Sequence, residues 1–75
     1  MAILQRFRKV SETDQEVEYA FGDPEMDRQL VINKADRTFR LADGREDHAF
    51  RAVLGRIMGR MAEDQTWPKG GGIQA

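Results

Sequence analysis

The stretch Asp47–Glu63, DHAFRAVLGRIMGRMAE, decides how this 75-residue chain is read. Phe50, Val53, Leu54, Ile57, Met58 and Met61 recur at the spacing of one helical face, so the stretch predicts an amphipathic α-helix running to about Asp64. Two helix starts compete. Asp43 with Glu46 three residues on fits a capping box, and Asp47 is the rival N-cap, its carboxylate well placed against the helix dipole. A stripe this regular needs an apolar surface to cover it, and the residues before Asp43 supply one.

Working back from the helix, the runs Gln29–Asn33 and Thr38–Ala42 flank Lys-Ala-Asp-Arg and read as a hairpin. Pairing Ile32 with Phe39 also sets Leu30 against Leu41 on the same face, while Val31 meets Arg40 and Asn33 meets Thr38 on the other. Ile3–Val10 and Glu16–Phe21 form an earlier hairpin around the polar run Ser11–Gln15. Setting Val10 opposite Glu16 puts Phe7 against Tyr19 and Lys9 against Val17. It also pairs Arg8 with Glu18 and places Arg6 by Ala20 on the reverse face. Between the hairpins, Gly22–Asp27 is a connecting loop. Its cluster Asp23, Glu25 and Asp27 lacks the ligand order of a calcium loop and reads as solvated.

The predicted fold is α+β: a four-stranded antiparallel meander with one C-terminal helix across one face. Its core is Phe7, Val17, Tyr19, Phe21, Leu30, Ile32, Phe39, Leu41, Phe50, Leu54, Ile57 and Met61. Residues 1–66 form the single domain. Residues 67–75 read as a flexible tail, because Pro68 and three consecutive glycines cannot continue a helix. Within that tail Trp67 is expected to fold back onto the core, the alternative being a free side chain that contacts a partner.

Composition bounds the function. Twelve basic and thirteen acidic side chains nearly cancel, so no global field draws the chain to nucleic acid or an anionic membrane. With no cysteine there is neither a disulfide nor a thiolate metal site. The first charges follow a short apolar start, unlike a signal peptide or a membrane span, which predicts a cytoplasmic protein with no membrane contact. Ser11 and His48 are the sole serine and histidine and share no motif. The carboxylate pairs Glu16 with Glu18 and Glu63 with Asp64 have no cleft to separate their pKa values. No enzyme activity, cofactor or metal is expected.

The helix's other side is less ordinary. Ala52, Gly55, Gly59 and Ala62 cluster opposite the apolar stripe with Arg56 and Arg60 beside them, and each interior glycine costs about 1 kcal/mol relative to alanine. These six residues and Trp67 are the candidate partner-binding set for a protein partner or a second copy of the chain, a homodimer. An alternative is a nucleic-acid-associated accessory protein using Arg6, Arg8 and Arg40, or Arg56 and Arg60. Against it, the aromatics Phe7, Tyr19, Phe21 and Phe39 share the face that the helix covers, leaving none to stack on bases.

The segments Glu-Val-Glu-Tyr-Ala-Phe-Gly, Pro-Glu-Met-Asp-Arg-Gln-Leu-Val-Ile, Ala-Phe-Arg-Ala-Val-Leu and Thr-Trp-Pro resemble a group of short uncharacterised actinobacterial proteins, over about Leu4 to Pro68. Nine arginines to three lysines accord with that resemblance. It implies no activity and assigns no site residue.

Overall fold

The computed structural model describes residues 4–22 and 25–74. Ile3, at the expected start of the first strand, and Asp23 and Pro24 of the acidic loop lie outside them. Five strands and one helix follow in order: β1 (Leu4–Glu12), β2 (Glu16–Phe21), β3 (Arg28–Asn33), β4 (Phe39–Leu41), α1 (His48–Asp64) and β5 (Gly70–Gln74). The sheet is antiparallel throughout, in the order β4-β3-β2-β1-β5. The α+β class and the helix on one face of an antiparallel sheet are as the sequence predicts. The number of strands is not.

The fifth strand comes from the segment expected to be a tail. Gly70, Gly71 and Gly72 pair with Arg8, Phe7 and Arg6, so β1 is an inner strand rather than an edge. Glycine is a weak strand former, yet here it is what the packing permits: a Cβ on Gly70 would lie 2.9 Å from the Phe7 carbonyl oxygen, and one on Gly71 would lie 3.2 Å from the Phe7 ring. Close approach to β1 selects residues that intrinsic propensity disfavours.

The second hairpin has the predicted register, with Leu30 opposite Leu41 and Ile32 opposite Phe39. The first is displaced. Phe7 faces Phe21 and Lys9 faces Tyr19, and an irregularity between Lys9 and Ser11 shifts the pairing so that Glu18 sits opposite Ser11. A bulge at Val10 absorbs one residue and leaves that side chain exposed. Because the displacement at Phe7 is two residues, an even number, Phe7 still points to the helix side. It meets Tyr19 diagonally, edge to face, with ring centroids 5.8 Å apart.

The helix lays Phe50, Val53 and Ile57 on Phe7, Val17, Tyr19, Phe21, Leu30 and Ile32, all essentially excluded from water. Burial of each such side chain contributes about 1.5–3 kcal/mol. Leu41, Leu54 and Met61, predicted as core, are only partly buried against it. Phe39 is 37% exposed, because β4 is a three-residue edge strand; its ring stacks at 4.9 Å on Phe50. At the helix start Asp47 is the N-cap, accepting from the Phe50 N–H at 3.0 Å, so the capping box from Asp43 does not form. At its end Gln65 takes a left-handed φ of 59° and its N–H returns to the Met61 carbonyl.

That reversal sends Trp67 into the core, 6% exposed, under the Arg37 guanidinium at 5.2 Å from the ring centre. The buried Tyr19 hydroxyl donates to the Pro68 carbonyl at 2.8 Å, and the Lys9 N–H then bonds the Lys69 carbonyl, launching β5. Trp67 is therefore unavailable as a free docking side chain. Trp67→Ala should cost about 3–5 kcal/mol in chemical denaturation, a large share of the stability of a domain this small. The native tryptophan emission should be blue-shifted and move red on unfolding; native emission already at the solvent-exposed maximum would contradict the burial.

Candidate interaction surfaces

Three surfaces remain once the core is assembled: the back of the helix, the sheet face turned away from it, and the outer edge of β5. The first depends on the anchoring of the helix start. Arg28, the first residue of β3, inserts its side chain with 10% exposure between β2 and the β4–α1 loop. Its Nε donates to Asp43 at 2.8 Å, its Nη1 to Asp47 at 3.0 Å, and its Nη2 to the Arg45 carbonyl at 2.8 Å. The guanidinium lies 4.5 Å from the centre of the Phe21 ring. Gly22, at φ 98°, makes room for it, since a Cβ there would come within 2.9 Å of the Arg28 Cγ. One side chain thus ties the start of a strand to a helix cap, and no periodicity in the sequence marks it.

The electrostatics follow from this geometry. Asp47 is held below the ordinary carboxylate range by the Phe50 N–H and then by Arg28. Asp43 is lowered by Arg28 and then by the Arg45 N–H. Tyr19 is shifted strongly upward, mainly by burial and secondarily by Glu12, so it stays a hydrogen-bond donor. Glu12 is lowered by its bonds to Lys34 and Lys9. Each perturbed group serves a cap, a turn or a strand pair.

On the helix back, Gly55, Arg56, Gly59, Arg60 and Ala62 are exposed and Ala52 is half-buried, so the predicted small-residue strip is present. Gly55, Arg56, Gly59, Arg60 and Glu63 line a shallow groove of about 220 Å³. A Cβ added at Gly55 or Gly59 would meet nothing within 4 Å. Arg60 pairs with Asp64 at 3.5 Å on the groove's flank. Trp67 lies in the core instead, apart from the other six residues of the predicted set.

On the open sheet face, Arg40 reaches Glu16 at 3.4 Å. The predicted partnership of Arg8 with Glu18 does not form, because β1 runs on to Glu12 and the chain reverses at Thr13–Gln15, which slides the pairing and sets Arg8 opposite Ala20 and Glu18 opposite Ser11. Neither takes part in an ion pair among the described residues. Ser11 lies in β1 and His48 opens α1 directly after the N-cap Asp47, both exposed.

The third surface escaped the sequence. Since Lys9 N–H bonds Lys69 O, the residues of this strand that face β1 are 69, 71 and 73, and those whose N–H and C=O groups face outward are Gly70, Gly72 and Gln74. Beside this edge Arg6, Phe7, Arg8, Met26, Gly71 and Gly72 line a cleft of about 510 Å³. Met26 enters it from a left-handed backbone conformation, φ 57°, uncommon for a residue with a side chain. The signal that was present is a strand-compatible Ile-Gln after the glycines, masked by three residues that read as breakers.

Among the described residues no group of three or more His, Asp or Glu side chains gathers as for a metal, and no helix is long and apolar enough to cross a membrane. Comparison with family models, with curated proteins and with solved structures finds no match.

The Arg28 cluster generates a pH dependence. Asp43 and Asp47 have folded pKa values below their ordinary one, so the stability they add is complete above that ordinary value near 3.8 and is lost as pH falls through the lowered folded values. Thermal melts should show the wild type losing stability below about pH 4, with the loss reduced in Asp47→Asn. An acid transition of equal size in that variant would show that the cap and its arginine do not control it.

Proposed function

We propose that this domain is a non-enzymatic protein–protein interaction module of the cytoplasm, engaging a partner protein or a second copy of itself. The observation that carries the reading is the outer edge of β5. It holds no charge, proline or bulge along Gly70–Gln74, whereas natural sheets ordinarily blunt an uncovered edge with one of these. The opposite edge is blunted: β4 has three residues and Arg40 at its centre. The helix-back groove supports the same reading, since two glycines there forgo helix propensity over open space.

A nucleic-acid-associated role is the competing reading, supported by the exposed Arg8, Arg40, Arg56 and Arg60. It is weakened by the placement of Phe7, Tyr19 and Phe21, which lie under the helix and offer no base a stacking platform.

Two measurements on the full chain decide between them. Sedimentation at hundreds of micromolar should show either a dimer or a monomer that captures a defined protein in constant stoichiometry, retained at high salt and insensitive to nuclease. Gly55→Leu with Gly59→Leu should preserve the fold, and it should abolish binding if the helix groove is the contact. A strict monomer that retains only nucleic acid, released by nuclease or salt, would overturn the proposal.

A further inference from the structure

Resting on the interaction-module reading, a sharper statement follows from the edge of β5. We infer that this edge accepts an extended acidic segment of a partner protein as a sixth strand, with carboxylates at alternate positions reaching across the bare glycines to Arg8 and Arg6.

Gly70 and Gly72 turn their N–H and C=O groups outward, so a strand added there would place its directly paired residues opposite them. Directly paired residues share a face. Gly70 lies in one cross-strand row with Arg8 and Ala20, and Gly72 lies in a row with Arg6. Side chains alternate along β1, and Phe7 points to the helix, so Arg6 and Arg8 stand on the opposite face. The incoming residues opposite Gly70 and Gly72 would project onto that same face.

Neighbouring strands are about 4.8 Å apart, so the incoming Cα atoms would lie about 9.6 Å from those of Arg8 and Arg6. In an ordinary sheet the intervening strand's side chains would fill that gap. Here the two intervening positions carry none, and a glutamate and an arginine can meet over them. The i, i+2 spacing of Arg6 and Arg8 matches the i, i+2 spacing of same-face residues on the added strand. The cleft of about 510 Å³ between Arg8, Met26 and Gly72 takes the aliphatic stems. Charge complementarity selects an acidic segment: Arg8 has no ion-pair partner among the described residues, and Glu18, the acid the sequence would have set opposite it, lies opposite Ser11 instead. Main-chain hydrogen bonds supply the affinity and the two arginine rows the choice of partner, which is strand addition with a charge filter.

The test uses the full chain and a fluorescein-labelled peptide of alternating glutamate and valine. A second peptide carries lysine for glutamate, and a third is N-methylated on the glutamates, which removes the N–H groups of the pairing edge. Fluorescence anisotropy should rise saturably with the acidic peptide alone, and amide shifts should concentrate on Gly70–Gln74 and Arg8. Arg8→Glu, an exposed substitution whose fold is checked by its melt, should weaken the acidic peptide at least about tenfold and favour the lysine peptide. Equal binding of acidic and basic peptides, undiminished binding of the N-methylated one, or shifts centred on Gly55 and Gly59 would overturn the inference. If no peptide binds while the chain still captures a protein partner unaffected by Arg8→Glu, this inference fails and the interaction-module reading stands. If neither peptide nor partner is held and the chain sediments as a monomer, both fail.

Discussion

The hydrogen bond from the Tyr19 hydroxyl to the Pro68 carbonyl, 2.8 Å long and set beside the buried Trp67, is the constraint on which the rest of this structure depends. A buried phenol without an acceptor costs about 1–3 kcal/mol, so the core can hold Tyr19 only if the chain after the helix passes directly over it. That passage fixes where Trp67 enters, brings Lys69 against Lys9, and so decides that residues 70–74 pair with β1. A chain of this length buries a modest share of its surface, and converting a tail into a fifth strand lets β1 hydrogen-bond on both sides.

The helix is held at both ends by different means. At one end Arg28 links Asp43, Asp47 and the Arg45 carbonyl in a cluster of charge-assisted bonds. At the other, Gln65 reverses the chain and Trp67 packs beneath Arg37 of the β3–β4 turn. Between them Phe50, Val53 and Ile57 bury the helix on the sheet. β4 and β5 run in the same direction at opposite edges, as the alternation of antiparallel pairs requires, and the helix carries the chain from one edge to the other. The surfaces left open are therefore those that this closure does not use.

Much of this was legible in the residues. The 3.6-residue period of Phe50 to Met61 and the two-residue period of Leu30, Ile32, Phe39 and Leu41 each report burial directly, so the helix and the second hairpin register emerge from pattern alone. The first hairpin was legible in its faces but not in its register, because opposite charges at Arg8 and Glu18 favour a pairing around a Ser11–Gln15 loop, whereas β1 extends to Glu12 and turns at Thr13–Gln15. β5 was illegible for a physical reason: Gly70 and Gly71 are what the closeness of Phe7 permits, a long-range contact that overrides local propensity. Arg28 was missed likewise, since its partners lie 15 to 19 residues away. The helix-back strip was legible because it is a local pattern, and the β5 edge was not because it exists only after the chain has returned.

Hydrogen exchange at the three glycines tests the account most directly. If residues 70–74 form the strand described, the Gly71 N–H faces β1 and exchanges slowly, while the Gly70 and Gly72 N–H groups face solvent and exchange far faster in the free protein. Fast exchange at all three would mean a tail instead of a strand, and would remove both the closure of the sheet and the edge on which the proposed partner recognition rests.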